Sequence, residues 1–415
     1  MPRIHLAEGE LIRVFGPAAL NIDTGEIEVL GALYSAGERI IIHRLRSYTI
    51  LSLKESVLDI NLGFEGTIQA ADQEDPYLEW RKTAEEIIND KPHKIMVIGQ
   101  VDSGKSSVSI LLSNIALNKG EKPAIIDGDV GQADIGPPGF ITLSYPSGKT
   151  VWMRTLKPQA MKFIGDIKPQ GHMFQIVQAI KQLIDISIQD DRSPVIIDTD
   201  GWVMDTYATI YKSILIEEVR PDHLVVIGDT LYDIYKKYSS IGIEVKIIKP
   251  PPSKRERTRE DRRYLRSEKY KEYLDGGRPV RLGLATTIIS GHPLFHGAPV
   301  DPALIQEIIG VKPLYASKTP DTLYMVVQEP IKNPRLDILK NAFGVQRIRY
   351  YVAGFEKRAY AALIGDQTDY PAMIEKIDFA SGTIYLKTKE LTNTHIVRLA
   401  RYKLTEEYHE SLLEY

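Results

Sequence analysis

Cysteine is absent from this chain of 415 residues. Its absence excludes disulfide bonds, thiolate metal sites and cysteine nucleophiles. Long apolar runs are also missing: none approaches the roughly 20 residues that a membrane-spanning helix needs. The first residues lack the apolar core of a signal peptide. We therefore expect a soluble intracellular protein, cytoplasmic by default, that contacts no membrane.

A strong charge imbalance is missing as well. The formal net charge is −3, so the chain as a whole does not attract nucleic acid, and any such surface must be local. The nine histidines show no spacing typical of metal ligands. Hydrophobic and charged residues make up 43% and 26% of the chain, as in globular proteins. The length predicts two or three domains.

One glycine-rich segment stands out against this ordinary composition. Residues 99–106 fit the pattern G-x-x-x-x-G-K-S/T, between an apolar run at 95–98 and a helical pattern. Backbone N–H groups and the helix N-terminus would form an anion pocket there. Lys105 would reach the β- and γ-phosphates of a nucleotide, and the Ser106 hydroxyl would bind Mg²⁺. The predicted ATP-binding residues are Gly99, Gln100, Val101, Asp102, Ser103, Gly104, Lys105, Ser106 and Ser107.

A second motif, residues 125–132, follows the next predicted strand. Asp127 and Asp129 lie two residues apart at the carboxyl end of that strand, where open α/β sheets bind ligands. Asp127 is placed to hold Mg²⁺, directly or through water. Asp129 would accept a proton from an incoming hydroxyl. The segment 226–230 lacks the lysine of a guanine-recognition motif, which disfavours GTP and leaves ATP as the default nucleotide.

The remaining patterns define the expected architecture. Turn-separated β patterns predict a small sandwich or barrel over residues 1–75. Strand and helix patterns alternate over residues 76–277, with an arginine-rich segment at 253–272, and residues 278–415 return to short β-like runs with two helices. Alternation predicts a parallel sheet covered by helices. The expected fold is therefore α/β: a P-loop NTPase sheet flanked by helices, with smaller mostly-β N-terminal and C-terminal domains. The predicted central strands are 95–98, 124–127, 195–198, 223–228 and 243–248.

Four motifs in this order resemble the polynucleotide 5′-hydroxyl kinase family, which includes the RNA kinase subunit of pre-mRNA cleavage factor and the rRNA-processing 5′ kinases. The resemblance spans residues 95–275. The matching segments are Asp102 with the Ser103-Gly104-Lys105-Ser106 end of the loop, Asp127 to Gln132, Asp198 to Val203, and the lid around Arg257-Thr258 and Arg262.

The resemblance implies donor-side roles for five residues. ATP and Mg²⁺ would be bound by Lys105, Ser106 and Asp127. Arg257 and Arg262 would close over the phosphates and neutralise the charge of the transferred phosphoryl group. Arginine suits this task because its planar fork of donors matches phosphate oxygens. An ideal helix would separate these two positions by over a third of a turn, roughly, so one of them is expected at a helix end or in a loop.

The resemblance also implies acceptor-side roles. Asp129 would orient or deprotonate the 5′-hydroxyl, Gln132 would contact the acceptor nucleotide, and Trp202 would stack on a base. Stacking is tolerant of sequence, which suits an enzyme that recognises an end. The family's substrate clasp is matched at Gly165, but Lys168 stands where a threonine is expected. Lys168 would bind a backbone phosphate instead.

We therefore predict an ATP-dependent kinase for the 5′-hydroxyl end of RNA, with DNA ends as a further substrate class. A non-catalytic ATP-binding scaffold in an RNA-processing complex is the alternative. An ATPase motor or a small-molecule kinase is a third interpretation. The resemblance allows RNA-processing protein partners, and the sequence leaves the oligomeric state open.

Overall fold

The computed structural model describes residues 2–71, 75–251, 257–332, 336–390 and 394–413. Contacts within the chain group it into two compact units. The first unit contains residues 1–136, 141–160 and 169–262, and the second contains residues 137–140, 161–168 and 263–415. The N-terminal β region and the P-loop region thus share one unit. The three-domain division at residues 75 and 277 stays a prediction.

Two sheets form the N-terminal part of the first unit. The strand orders are β1-β8-β3-β6 and β5-β4-β7-β2-β9, and neighbouring strands in both sheets are antiparallel. Alternating burial, as in Leu11 to Phe15, places apolar side chains from both sheets in one core, as expected of a sandwich. The strands are β1 (Arg3–Leu6), β2 (Leu11–Phe15), β3 (Ala18–Thr24), β4 (Glu26–Val29), β5 (Ala32–Ser35), β6 (Arg39–Ile42), β7 (Ser47–Ser52), β8 (Ser56–Leu62) and β9 (Thr67–Ala70).

A mixed sheet flanked by helices follows, and it confirms the predicted α/β fold class. Its strands are β10 (Lys94–Ile98), β11 (Ala124–Gly128), β12 (Phe140–Ser144), β13 (Pro158–Phe163), β14 (Val195–Thr199), β15 (His223–Ile227) and β16 (Glu244–Ile248). The helices are α1 (Tyr77–Asn89), α2 (Lys105–Asn118), α3 (Met173–Gln189), α4 (Thr206–Val219), α5 (Asp229–Tyr235) and α6 (Arg259–Leu274). Within the described ranges, no helix is both long and apolar enough to cross a membrane.

The order of strands in this sheet is β13-β12-β11-β14-β10-β15-β16. All five predicted strands are present, and the pairings among β11, β14, β10, β15 and β16 are parallel. The two strands that the sequence patterns did not predict, β12 and β13, extend one edge, and β12 runs antiparallel to β11. Because β14 lies between β11 and β10, the carboxyl ends of these three strands meet at one edge, where the motifs lie.

The second unit contains two further sheets and is mostly β, as predicted for the C-terminal residues. One sheet has the order β17-β25-β24-β23-β26-β18, with β27 paired to β26, and the other has the order β19-β20-β21-β22. The strands are β17 (Arg278–Gly283), β18 (Ile288–Ser290), β19 (Ala298–Pro299), β20 (Tyr315–Lys318), β21 (Thr322–Val327), β22 (Arg347–Val352), β23 (Ala359–Leu363), β24 (Tyr370–Asp378), β25 (Thr383–Thr388), β26 (Ile396–Leu404) and β27 (Glu410–Leu412). Two short helices, α7 (Pro302–Ile309) and α8 (Leu336–Phe343), accompany them.

Aromatic rings form part of the core of the second unit. Tyr360 lies between other rings, with centroids 5.1 Å from Tyr270, 5.6 Å from Tyr402 and 5.8 Å from Phe163. Tyr270 also donates a hydrogen bond from its hydroxyl to that of Tyr402 across 3.0 Å. This packing fixes the carboxyl-terminal half of α6 within the second unit.

Candidate active site

The phosphate-binding loop, residues 99–106, runs from the end of β10 into the start of α2. Gly104 has φ of +98°, and a Cβ there would lie 2.7 Å from Cη2 of Trp80, so the position requires glycine. Lys105 begins α2 and donates from Nζ to the Gln100 carbonyl oxygen across 2.8 Å. The lysine side chain therefore folds back over the loop.

The other loop residues complete a tight turn. A Cβ on Gly99 would lie 2.5 Å from Oγ of Ser103 and 3.0 Å from Cβ of Ile227, so a larger residue would have to displace the Ser103 side chain. The Ser103 N–H donates to the Gln100 carbonyl across 3.2 Å. Val101 is exposed at the tip, and Ser107 follows in the first turn of α2. The strand, loop and helix predicted from the sequence are all present.

A serine–aspartate contact joins the loop to the neighbouring strand. Ser106 donates from Oγ to Oδ2 of Asp198 across 2.7 Å, and Ser109 donates to Oδ1 of the same carboxylate across 3.3 Å. Burial raises the pKa of Asp198 to about 6, against the opposing effects of Lys105 and Ser106. A buried carboxylate beside a serine hydroxyl is a donor set that Mg²⁺ accepts. Asp198 was matched only to a family motif by sequence, and its contact with Ser106 was missed.

Asp127, the Mg²⁺ ligand that the sequence predicts, has different partners. Its Oδ2 accepts hydrogen bonds from the backbone N–H groups of Asp134 at 2.7 Å and Ile135 at 3.0 Å, and its Oδ1 accepts one from Asp129 at 3.3 Å. Burial raises its pKa to about 8, and the nearby Asp134 adds to this. Asp127 therefore holds the loop that follows β11, while Asp198 is the carboxylate bonded to Ser106. The metal role of Asp127 stays a prediction, and Asp198 is a second candidate ligand because it bonds to Ser106.

Asp129 lies in that same loop and is half-buried. Its Oδ1 accepts hydrogen bonds from the N–H groups of Gly131 at 2.9 Å and Gln132 at 2.8 Å. Burial raises its pKa and Asp200 adds to the rise, whereas these N–H groups and Lys105 lower it. The Gln132 side chain donates to the Gly131 carbonyl across 2.8 Å. Asp129 is thus fixed by its loop and close enough to Lys105 to interact with its charge.

Trp202 follows β14 and is held on several sides. Its backbone N–H donates to Asp200 across 2.9 Å, and its Nε1 donates to Asp205 across 2.5 Å. Its ring stacks on Tyr211, with centroids 6.0 Å apart and planes inclined by 25°. The residue is half-buried, which differs from a core tryptophan.

The lid arginines lie around the start of α6. Thr258 and Asp261 form a reciprocal cap, in which Thr258 N–H and Oγ1 donate to the Asp261 carboxylate and Asp261 N–H donates to Thr258 Oγ1. Arg257 precedes the helix and Arg262 lies in its first turn, as the spacing of the two residues indicated. Arg262 donates to Oδ2 of Asp102 in the phosphate loop across 3.2 Å. Residues 253–256 of the predicted lid lie outside the described residues.

An arginine cluster around Asp134 was not found by sequence reasoning. Arg46, between β6 and β7, lies 2.7 Å from Oδ2 of Asp134, and Arg154 lies 3.2 Å from Oδ1. Burial alone would raise the pKa of Asp134, but Arg46 and Arg257 hold it well below its usual range. Burial lowers the pKa of Arg257, and the charge of Arg46 adds to this. No local sequence signal joins residues so far apart in the chain.

The predicted clasp residues belong to the second unit. Gly165 is buried with φ of +83°, and its N–H donates to the Gly139 carbonyl across 3.2 Å. Lys168 is exposed, and its backbone N–H donates to Asp166 across 3.1 Å. The geometry within this unit supports a tight turn at Gly165. Their part in acceptor binding stays a prediction.

One further cluster combines a histidine with two carboxylates, which are residue types that bind metals. Asp90, His223 and Glu244 place ligand atoms within 4.8 Å of one another at the amino ends of β15 and β16. Lys246 already lies 2.6 Å from Glu244, and burial lowers the pKa of His223 in spite of the two carboxylates. This arrangement is an ion-pair network and does not require a metal.

Comparison with known proteins identifies the central segment. Residues 99–276 match the family described as mRNA cleavage and polyadenylation factor CLP1 P-loop. The family resemblance predicted from the motifs is confirmed.

Archaeal relatives extend the match beyond these motifs. A polyribonucleotide 5′-hydroxyl-kinase of Methanocaldococcus jannaschii is 29% identical over 331 residues, covering 76% of this chain and 88% of its own length. The enzyme of the same name from Thermococcus kodakarensis is 29% identical over 329 residues, covering 77% and 90%. The polyribonucleotide 5′-hydroxyl-kinase Clp1 of Danio rerio is 26% identical over 214 residues, about half of each chain.

A solved complex of wild-type Clp1p with a Pcf11p segment has a similar fold. Its TM-score is 0.64 at 14% identity, with 97% of both chains covered. This likeness concerns the fold and extends over the N-terminal, central and C-terminal parts of the chain.

Proposed function

We propose that this protein is a polynucleotide 5′-hydroxyl kinase, which transfers the γ-phosphate of ATP to the 5′-hydroxyl end of RNA. The names of its archaeal relatives support this substrate and reaction. The observation that carries the proposal is the meeting of a phosphate loop and a carboxylate at one sheet edge: Lys105 and Asp129 interact there. A scaffold that only binds ATP has no need of a base in that position.

The donor half of the site would bind ATP through the loop N–H groups and Lys105. Ser106 and Asp198 would hold Mg²⁺, because they supply a hydroxyl and a carboxylate in hydrogen-bond contact. Mg²⁺ would neutralise charge on the β- and γ-phosphates. Arg257 and Arg262 would add fixed positive charge from the lid. Arg262 would exchange its contact with Asp102 for phosphate oxygens.

Transfer would proceed in line and without a covalent enzyme intermediate. The 5′-oxygen forms a bond to the γ-phosphorus as the bond from that phosphorus to the β,γ-bridging oxygen breaks. The proton of the 5′-hydroxyl passes to the Asp129 carboxylate, and ADP leaves. The N–H groups of Gly131 and Gln132 occupy Oδ1 of Asp129, which would orient Oδ2 toward the acceptor.

Within the first unit, the acceptor half would use Gln132 and Trp202, and the clasp role of Gly165 and Lys168 stays a prediction. Stacking on Trp202 would accept any base. The names of the relatives specify polyribonucleotides, so RNA is the proposed substrate and DNA is a comparison. Because Clp1p was solved with Pcf11p, we also propose that this chain works with a protein partner in RNA processing.

A labelling assay tests the proposal. The protein is incubated with γ-labelled ATP, Mg²⁺ and single-stranded RNA that carries a 5′-hydroxyl, and label on the RNA is the expected result. The same RNA with a 5′-phosphate is the matched control and should take no label. Single-stranded DNA and duplexes of both kinds define the range of acceptors. ATP binding without label transfer would favour the scaffold, and hydrolysis that ignores the 5′-hydroxyl would favour an ATPase.

A further inference from the structure

A fully buried ion pair lies beneath Trp202. Nζ of Lys212, on α4, is 2.7 Å from Oδ2 of Asp200, and the two side chains are 0% and 4% exposed. Removing both charges from water costs several kcal/mol per ion by general estimates. An apolar pair of the same volume would fill this place without that cost, so packing alone does not explain the two charges.

Asp200 uses both of its oxygens. Oδ1 accepts the Trp202 backbone N–H across 2.9 Å, and Oδ2 accepts the Tyr211 hydroxyl across 3.0 Å in addition to Lys212. A hydrogen bond to a charged acceptor is shorter and more directional than one to a neutral acceptor. Lys212 gives this buried carboxylate a counter-ion at 2.7 Å. The pair therefore fixes the backbone of Trp202 against α4.

The Trp202 ring is fixed by the same helix. One face stacks on Tyr211, whose hydroxyl bonds to Asp200, and Nε1 donates to Asp205, which also caps α4 by accepting the Ala208 N–H. Backbone, ring face and indole nitrogen are thus all tied to residues on or next to α4. A ring held in this way loses little side-chain entropy when a base stacks on its other face.

We propose that Asp200 and Lys212 form a positioning pair, which holds the outer face of Trp202 ready to stack on a nucleobase at the acceptor end. The inference deepens the proposed function and rests on it. Neither residue touches the acceptor: both act through Trp202 and Tyr211. The pair would contribute to oligonucleotide affinity and leave the ATP site unchanged.

The test uses an RNA oligonucleotide with 2-aminopurine at its 5′-hydroxyl end, because stacking quenches the fluorescence of this base. In the double variant D200A/K212M, the acceptor for the Trp202 N–H is lost and no lone charge remains buried. We expect the oligonucleotide KM to rise about tenfold and most of the quenching to disappear, as in W202A. ATP affinity and kcat at saturating oligonucleotide should change far less.

Two further variants separate positioning from folding. D200N/K212M removes both charges but keeps a neutral amide oxygen for the Trp202 N–H, so KM and quenching should recover only part of the way toward the wild type, because a neutral acceptor bonds more weakly than a carboxylate. K181M/E218Q removes the exposed ion pair between α3 and α4 and should match the wild type. Wild-type quenching in D200A/K212M, or equal losses in D200N/K212M and D200A/K212M, would overturn the inference.

The binding readout also keeps the two proposals distinguishable. Quenching is measured without ATP and does not depend on turnover. If the wild type transfers no phosphate yet quenches in a manner that requires Asp200, the proposed kinase activity fails and the positioning pair stands. If the wild type transfers phosphate and D200A/K212M quenches as the wild type does, the kinase activity stands and the positioning pair fails.

Discussion

Asp127 and Asp198 are direct partners in the parallel pairing of β11 with β14, yet their carboxylates serve different parts of the site. Asp198 accepts the Ser106 hydroxyl at 2.7 Å, whereas Asp127 accepts backbone N–H groups from its own loop. The difference follows from strand order. Asp198 is the penultimate residue of β14, which lies next to β10, where the phosphate loop starts. Asp127 is the penultimate residue of β11, which lies one place further away.

Replacing Asp198 should raise the free energy of unfolding and lower the rate of phosphoryl transfer. The Asp198 pKa is raised from its ordinary 3.8 to about 6 in the folded protein, so the unfolded chain loses this proton at lower pH. Above pH 6 the carboxylate therefore destabilises the fold, on the order of 1–3 kcal/mol. D198N should raise the free energy of unfolding at pH 8 without Mg²⁺, measured by urea titration, and should lose most Mg²⁺-dependent transfer.

The control variant is D191N, which changes an exposed aspartate and should alter neither the free energy of unfolding nor the transfer. A variant that keeps its turnover would remove Asp198 from the metal site.

Mg²⁺ affinity should depend on pH. Because the ion needs an ionised ligand, protons compete with it at Asp198, whose pKa is about 6. The Mg²⁺ concentration at half-maximal transfer should fall as pH rises from 5.5 to 7.5. D198N is the control for the titration of ATP itself and should show a flatter dependence. An identical slope in both proteins would contradict the assignment.

Asp129 should be needed for transfer but not for ATP binding. D129N keeps an oxygen for the N–H groups of Gly131 and Gln132 but cannot accept the proton. Loss of general-base catalysis lowers rates by roughly 10²–10⁴. Single-turnover labelling should show that loss, with an unchanged ATP dissociation constant by calorimetry. D185N makes the same change at an exposed position of α3 and should transfer phosphate as the wild type does. Near-normal turnover of D129N would mean that another group takes the proton.

The lid arginine should act on the rate of transfer. Arg262 lies 3.2 Å from Asp102 and would move to the phosphates when ATP binds. R262A should lower kcat on the order of 100-fold, since a fixed charge at the transition state is lost. R262K should recover only part of the rate because a lysine lacks the planar fork. R259A, an exposed arginine at the start of the same helix, should behave as the wild type. Equal effects of R259A and R262A would indicate general attraction to nucleic acid.

Asp134 should be a stability residue. D134A leaves the nearly buried Arg46 and Arg154 without their shared carboxylate, which by analogy with broken buried pairs costs about 3–5 kcal/mol. Since arginines hold the folded-state pKa of Asp134 well below its usual range, its contribution is present above pH 4 and is lost as pH falls further. Urea unfolding of wild type and D134A should therefore show a constant difference between pH 5 and pH 7 that begins to shrink below pH 4. Parallel curves would assign the effect to packing.

Local patterns predicted the parts of the site that are built locally. The strand at Lys94–Ile98, the loop and the helix from Lys105 to Asn118 follow from apolar runs, glycines and helical spacing. The cap of α6 is also visible in the sequence, as Thr258 followed three residues later by Asp261. The resemblance to a known family supplied the acceptor roles, which no spacing rule could provide.

Contacts that depend on sheet order could not be predicted in the same way. Five parallel strands were expected, but their order was not, and only the order places Asp198 beside Ser106. The edge strands β12, which is antiparallel to β11, and β13 were missed for a related reason, since the alternating pattern of the region favoured parallel strands. The residues of the Arg46–Asp134 contact are 88 positions apart in the sequence. Hydrophobic periodicity does not predict a contact between residues so far apart.

That contact also bears on how the chain could be divided in the laboratory. Arg46 belongs to the N-terminal sandwich, and Asp134 stands in the loop that carries Asp129 and Gln132. A shortened chain beginning near α1 would retain the phosphate loop and Asp129 but would lose Arg46, one of the two arginines that pair with Asp134. The sandwich therefore contributes a side chain that supports the Asp129 loop, and we expect a chain cut near α1 to lose part of that support.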